Sequence, residues 1–198
     1  MNRSSRTVKL VEMALLVAIM LILAFTPLGY IKTLGLEITL IVVPVTIGAI
    51  ILGPLGGAVL GAVFGITSFI QCFGMSPFGA VLLGINPFGT FVVCVVSRIL
   101  MGWLTGLIYK GLSKFPKMKN WKILIANLAG PILNTFFFMS TLVIFFFSSD
   151  YIQSLAGGLN PFRFAIAFVG VNGLVEAAAC FVVGSAITKA LQVAMKNK

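Results

Sequence analysis

The pattern of hydrophobic and polar positions divides the chain into six long apolar stretches with short polar or glycine-rich connections. Most are close to the ~20 residues that a helix needs to cross a hydrocarbon layer of about 30 Å. The predicted spans cover about residues 10–31, 38–55, 57–73, 87–110, 122–147 and 162–190. The pattern therefore predicts an all-α integral membrane protein with six transmembrane helices and a single domain over residues 1–198.

Positive charges gather on one side of this predicted arrangement. If the N-terminus is cytoplasmic, most of the 14 lysines and arginines fall on that side: Arg3, Arg6, Lys9, Lys110, Lys114, Lys117, Lys119, Lys122, Lys189, Lys196 and Lys198. The outer side then receives Lys32 and Arg163, together with Glu37 and Asp150. By the positive-inside rule, both termini are predicted to be cytoplasmic.

Composition narrows the class of function. The chain is 60% hydrophobic and 9% charged, with no histidine and only four acidic residues. The chain therefore has few side chains that could bind a metal or form a catalytic triad. It also contains no Walker sequence for ATP hydrolysis. The net charge of +10 could indicate nucleic acid, but the cations cluster at membrane edges, so topology explains them better. We expect no catalytic residue, no metal and no nucleic-acid partner.

Two ionisable residues lie deep inside predicted spans. Arg98 follows Asn86 by twelve residues, or about 18 Å of helix, which places it near the membrane midplane. Glu176 lies about 22 Å beyond Pro161, at a similar depth. An unpaired arginine there costs at least about 2.5–3.5 kcal/mol, so Arg98 should meet an acid or a ligand.

Two amides accompany these charges on inward-facing stripes: Asn134 in span 5 and Asn172 in span 6. One interpretation is a buried Arg98–Glu176 ion pair that the amides satisfy, which fixes helix positions and binds nothing. The other is a polar pocket, open to the outside, in which some of these side chains contact a ligand. The sequence leaves both open.

A short motif is repeated on the outer side of the predicted membrane. Gly84-Ile-Asn-Pro-Phe-Gly89 precedes span 4, and Gly158-Leu-Asn-Pro-Phe-Arg163 precedes span 6. In each, the asparagine can cap a helix whose first turn contains the proline. Both helix starts would point backbone N–H groups and a positive helix end at one outer vestibule, where an anionic or carbonyl-bearing ligand would be favoured.

Small residues define two further features. Ala14 and Ala18 lie four residues apart on one face of span 1, where they would let another helix approach closely, either within this chain or from a partner. Spans 2 and 3 are rich in glycine, which predicts tight helix packing.

Together these residues resemble a known family. The Ala14-xxx-Ala18 pattern, the LGPLGGAVLGAVFG segment joining spans 2 and 3, and NPFGTFVVCVVSRILMG in span 4 are similar to the substrate-binding S component of energy-coupling factor (ECF) vitamin transporters. The resemblance covers nearly the whole chain and is strongest for the group that contains the pantothenate and riboflavin S components.

The resemblance implies a small, high-affinity vitamin receptor in the bacterial plasma membrane. It implies that the chain topples in the membrane and docks on a transmembrane T component driven by two ATPase subunits, so that partner subunits hydrolyse ATP and this chain holds no cofactor. Ala14 and Ala18 would form the docking surface. The implied substrate-binding candidates are Arg98, Asn134, Asn172, Glu176, Asn86 and Phe88.

Arg98 favours an anionic vitamin such as pantothenate, through a charge-assisted hydrogen bond to its carboxylate. If Glu176 neutralises Arg98, that preference disappears. The alternatives are an S component for riboflavin, folate or cobalamin, and a stand-alone carrier or channel; an intramembrane enzyme ranks third. A stand-alone carrier should transport when expressed alone, whereas an S component should bind alone and need its partners for efficient uptake.

Overall fold

The computed structural model describes residues 3–26, 30–32, 37–115, 118 and 121–196, and among them the side chains of residues 7–26, 39–115, 118, 121–168 and 173–190. Helices dominate this part of the chain. The uninterrupted ones are α1 (Arg3–Phe25), α2 (Val42–Ile51), α3 (Pro54–Gln71), α4 (Pro77–Ile85), α7 (Lys122–Phe146) and α8 (Asp150–Ala156).

Two further spans are composite helices. In the first, α5 (Pro87–Phe91) continues through the π-helical turn π1 (Val92–Val96) into α6 (Ser97–Leu112). In the second, α9 (Pro161–Ala179) continues through π2 (Cys180–Gly184) into α10 (Ser185–Lys196). Each π turn inserts one extra residue into a helix, and such insertions occur frequently at functional sites.

The helices fit a multi-pass membrane protein. Within the described residues, 5 helices are long and apolar enough to cross a membrane, namely those containing Thr7–Phe25, Pro54–Gln71, Pro87–Leu112, Lys122–Phe146 and Gly173–Ala190. The helix predicted as the second span, α2, has only 10 residues, or about 15 Å of length, and does not cross the hydrocarbon layer alone. The six-span count and the cytoplasmic position of both termini therefore stay predictions.

The connections that are predicted to lie outside the membrane contain more secondary structure than the hydrophobic pattern predicts. Span 1 was predicted to continue to residue 31, but α1 ends at Phe25 and a short antiparallel hairpin follows. Its strands are β1 (Tyr30–Lys32) and β2 (Glu37–Thr39), so the described chain is not purely α-helical. Helices α4 and α8, which lie in predicted loops, were also missed.

The repeated Asn-Pro motif starts two helices, but only one asparagine side chain caps. The Asn86 Oδ1 accepts a hydrogen bond of 2.9 Å from the Gly89 backbone N–H, as predicted. At the start of α9, Pro161 occupies the first turn, yet the Asn160 side chain makes no capping bond. The prediction is therefore wrong for the second asparagine because its side chain is not turned back onto the helix end.

Glycines bring α3 and α6 into backbone contact. Gly57, Gly61 and Gly65 lie four residues apart on α3, and a Cβ added to Gly61 would overlap the carbonyl of Arg98. A Cβ at Gly65 would lie 2.6 Å from the Val95 Cα. We call this contact, together with the facing Gly57 and Gly102, the glycine seam. It fixes the position of the helix that carries Arg98.

The two larger apolar clusters of the described residues pack the bundle on either side of its polar side chains. In one, Met20 of α1 and Ile41 pack with Phe64 of α3. In the other, Leu82 of α4 and Phe146 pack where α7 ends and α8 begins. The space between α3, α6, α7 and α9 contains the polar side chains that the sequence analysis singled out.

Candidate functional site

The guanidinium of Arg98 is buried between two aromatic rings. Arg98 is 8% exposed, and its Cζ lies 5.3 Å from the centre of the Phe64 ring and 5.0 Å from that of Phe138. Cation–π contacts of this kind stabilise a charge that has been removed from water. The rings come from α3 and α7, so the guanidinium lies where these helices face α6.

The π1 turn supplies the hydrogen-bond acceptor for this arginine. The Arg98 Nη1 donates to the backbone carbonyl of Val93, five residues earlier. The neighbouring Ser97 hydroxyl lies 3.1 Å from that of Thr141, which ties α6 to α7 beside the guanidinium. The Arg98 Nε has no hydrogen-bond partner in the described part of the chain. The Arg98 Nε is therefore a buried, unsatisfied hydrogen-bond donor.

Glu176 links three elements. One carboxylate oxygen accepts a hydrogen bond of 2.9 Å from the backbone N–H of Thr39, in β2, and the other accepts a bond of 3.3 Å from the Asn134 Nδ2. Glu176 and Asn134 are each 6% exposed. The Asn134 Oδ1 is buried and has no hydrogen-bond partner among the described residues.

Arg98 and Glu176 do not form the ion pair that one interpretation of the sequence predicted. Both side chains are described, and no nitrogen of Arg98 lies within 4.0 Å of a carboxylate oxygen of Glu176. The guanidinium is held by a carbonyl and two rings, and the carboxylate by a backbone N–H and an amide. Glu176 therefore does not neutralise Arg98 by direct contact.

Among the remaining substrate-binding candidates, Asn86 and Phe88 make no described contact with Arg98, and the side chain of Asn172 is not described. Asn172 lies in α9, but its side chain is outside the described residues. Phe88 is 69% exposed and packs against Phe145 at 6.1 Å between ring centres. In the described structure, no hydrogen bond or ring contact joins Asn86 or Phe88 to Arg98.

Ala14 and Ala18 are both exposed on α1, within a face that also exposes Leu15 and Ile22. The opposite face of α1 packs into the bundle through Leu16 and other apolar side chains. The two alanines therefore do not pack against another described helix of this chain.

An apolar groove of about 860 Å³ separates α7 from α9. Its lining includes Ile132, Phe162 and Leu174, which are 56%, 75% and 72% exposed. Thr135 and Ser140 are its only described polar side chains. A water-soluble ligand would lose its hydrogen bonds here, whereas lipid chains fit such a surface, so the groove is a poorer candidate than the Arg98 region.

Sequence reasoning missed three parts of the Arg98–Glu176 region. The Val93 carbonyl can accept the bond from Arg98 because of the π turn, and the residue types in this segment do not predict a π turn. Thr39 contributes a backbone N–H, which every residue except proline carries. Phe64 has a weak signal, since it is a bulky ring in the otherwise small-residue segment Gly61–Gly65.

Comparison with known proteins identifies the family. Residues 8–187 match the family model described as the ECF transporter, substrate-specific component. This chain belongs to that family. It is also similar to the pantothenic acid transporter PanT of Lactococcus lactis subsp. cremoris (strain MG1363), with 33% identity over 172 residues that cover 80% of each chain. The family membership confirms the predicted resemblance and the prediction of a transport protein rather than an enzyme.

As the substrate-specific component of an ECF transporter, this chain is the subunit that recognises the substrate, and the buried polar side chains are candidates for that contact. The described residues contain no group of three histidine, cysteine, aspartate or glutamate side chains that could hold a metal ion.

Proposed function

We propose that this S component binds pantothenate and delivers it to an ATP-driven ECF module. The observation that carries the substrate is the buried guanidinium of Arg98, which has no direct acidic partner in the described structure and keeps a free Nε. A carboxylate is the ligand group that best satisfies it. The similarity to a pantothenic acid transporter supports the same substrate.

The polar side chains of Asn134 and Glu176 suit the uncharged groups of pantothenate. Pantothenate carries an amide and two hydroxyls in addition to its carboxylate. The unsatisfied Asn134 Oδ1 can accept a hydrogen bond from a hydroxyl or an amide N–H, and the Glu176 carboxylate beside it can accept further bonds in addition to those from Thr39 and Asn134. Asn172, Asn86 and Phe88 complete the proposed site at its outer side.

Calorimetric titration of the purified chain tests the substrate. We expect tight 1:1 binding of pantothenate and no comparable binding of riboflavin, folate or cobalamin. Pantothenol, in which a hydroxymethyl group replaces the carboxylate, should bind about 10- to 150-fold more weakly, because the charge-assisted hydrogen bond is worth about 1.5–3 kcal/mol. Equal affinity for pantothenate and pantothenol would contradict the role of Arg98, and tight binding of another vitamin would contradict the substrate.

The proposed partners are a transmembrane T component and two ATPase subunits in a bacterial plasma membrane. In this proposal the ATPase subunits hydrolyse ATP, and this chain needs no nucleotide, metal or nucleic acid of its own. Uptake of labelled pantothenate by cells that lack their own importer should therefore need all partners. Efficient uptake with this chain alone would favour a stand-alone carrier.

The exposed alanines of α1 are the proposed docking surface for the T component. Replacing Ala14 and Ala18 with phenylalanine should abolish uptake in the complete importer, because large side chains keep the partner helices apart. Pantothenate affinity of the isolated variant should stay unchanged. Uptake and titration measured on the same variant check both parts.

Ile19→Phe is the matched control for these alanine variants. Ile19 is 40% exposed on the same helix but points about 100° or more away from both alanines. It should therefore tolerate the ring with uptake retained. Loss of pantothenate binding in the alanine variants would mean that Ala14 and Ala18 support the fold instead of a partner.

A further inference from the structure

Two of the three cysteines lie side by side, and the proposed vitamin site uses neither of them. The Sγ atoms of Cys72 and Cys94 are 3.8 Å apart, although 22 positions separate the two residues in the chain. Both are buried free thiols. Cys180 is buried as well, but it packs in a different apolar cluster. The structure thus brings one pair of thiols together and keeps the third apart.

The separation of the two sulfur atoms is small enough for a covalent link. A disulfide has a bond length of about 2.0 Å, so the sulfurs need to approach by about 1.8 Å. Cys72 is the residue at which α3 ends, and a turn follows it, so its backbone is held by a helix on one side only. Rotation about the two Cα–Cβ bonds, together with a small shift of this helix end, brings the sulfurs within bonding distance.

The pair lies at the end of the bundle that is predicted to face outward. Phe73, the residue after Cys72, is 69% exposed, so the chain reaches the surface directly beside the pair. The start of α4 covers the Cys72 sulfur through Gly79, where an added Cβ would lie 2.6 Å from the Cys72 Sγ. The cover at this point is therefore a residue without a side chain. An uncharged oxidant of about the size of water needs only a small movement of α4 to reach the sulfur.

We propose that Cys72 and Cys94 form an oxidation site whose oxidant is hydrogen peroxide. The thiolate of one cysteine attacks the peroxide and breaks its O–O bond, and the thiol proton leaves with the released oxygen as water. This step gives a sulfenic acid. The sulfur of the other cysteine then attacks the sulfenic sulfur, forms the S–S bond and expels hydroxide, which takes the second thiol proton as water. Two thiols and one peroxide thus give one disulfide and two water molecules.

The disulfide would act on the helix that carries Arg98. Cys94 belongs to π1 and directly follows Val93, whose carbonyl accepts the hydrogen bond from Arg98. The link would join this turn covalently to α3 and close a loop that contains α4. A closed loop restricts the unfolded chain, so the oxidised protein should be more stable than the reduced protein. None of this depends on which vitamin binds.

Mass spectrometry of the unmodified protein tests the proposal directly. The folded protein is treated with hydrogen peroxide, freed of the excess, unfolded and alkylated, so that every remaining thiol is counted. We expect alkylation of Cys180 alone, a link between the peptides that contain Cys72 and Cys94, and three alkylated cysteines after treatment with dithiothreitol. Three free thiols without that treatment, a link that includes Cys180, or separate sulfinic acids at Cys72 and Cys94 would each overturn the proposal.

Thermal unfolding gives a second readout of the same link. The peroxide-treated protein should have a Tm roughly 4–16 °C higher before dithiothreitol than after it, as expected for a disulfide in a chain of this size. Dithiothreitol reduces the disulfide and leaves methionine sulfoxide in place, so the comparison isolates the link. An equal Tm before and after reduction counts against the site.

Two variants identify which cysteines cause the difference in Tm. Cys94→Ala should abolish it, whereas Cys180→Ala, the matched control, should keep it in full. Each variant is compared with itself before and after reduction, so any effect of the substitution on the fold cancels. A difference that persists in Cys94→Ala, or that disappears in Cys180→Ala, overturns the assignment to Cys72 and Cys94.

Discussion

Replacement of Gly61 with alanine is expected to lower Tm by roughly 2–12 °C, the equivalent of about 1–3 kcal/mol for overpacking in a chain of this size. The new Cβ would overlap the Arg98 carbonyl, and its next neighbours are also backbone atoms. No side chain can rotate away, so α3 and α6 must separate. Because this shifts Arg98, pantothenate affinity should fall as well. Thermal unfolding and titration of the purified variant measure both effects.

Gly111→Ala is the control for this substitution. Gly111 lies in the same helix as Arg98, but a Cβ there meets no atom within 4 Å. Alanine has a higher helix propensity than glycine, so Tm should stay the same or rise. If Gly61→Ala behaves like Gly111→Ala, the glycine seam is not under the steric constraint described above.

Arg98→Gln is expected to weaken pantothenate binding by about 10- to 150-fold, which corresponds to loss of a charged hydrogen bond worth about 1.5–3 kcal/mol. Glutamine keeps part of the stem and a hydrogen-bond donor but removes the positive charge. Affinity for pantothenol should change much less, because that ligand has no carboxylate. Comparing both ligands on both proteins isolates the charge–charge part of the interaction.

Arg163→Gln removes the same charge at the start of α9, where the side chain is exposed, and should leave both affinities unchanged. If Arg98→Gln binds pantothenate normally but unfolds at a lower temperature, Arg98 stabilises the bundle and does not bind the carboxylate.

The sequence predicted the long apolar helices, because a membrane requires a certain length and hydrophobicity of them. It predicted the short connecting elements less well, because they are under no such requirement. Helix α7 was predicted over 122–147 and is observed over Lys122–Phe146. The β1–β2 hairpin was missed because the apolar residues of its first strand were assigned to the end of span 1 and those of its second strand to the start of span 2. Helices α4 and α8 were missed for the opposite reason, since they are too short to produce a clear period.

The sequence predicted which residues of the candidate site are buried, but not which of them contact one another. Burial of Arg98, Asn134 and Glu176 followed from the cost of placing polar groups in lipid, and the structure buries all three. Their pairing could not be predicted, because depth along a helix does not give rotation about it. The extra residue of π1 changes that rotation for everything after it in the span, including Arg98.

The glycine seam also limits how the molecule can move. Two helices in backbone contact have no intervening side chains that could change rotamer, so α3 and the span carrying Arg98 should behave as one rigid body. Opening and closing around a substrate is then left to the elements on the other side of the site. The bond between the Thr39 N–H and Glu176 joins the hairpin to α9, and we expect this latch to break when the site opens.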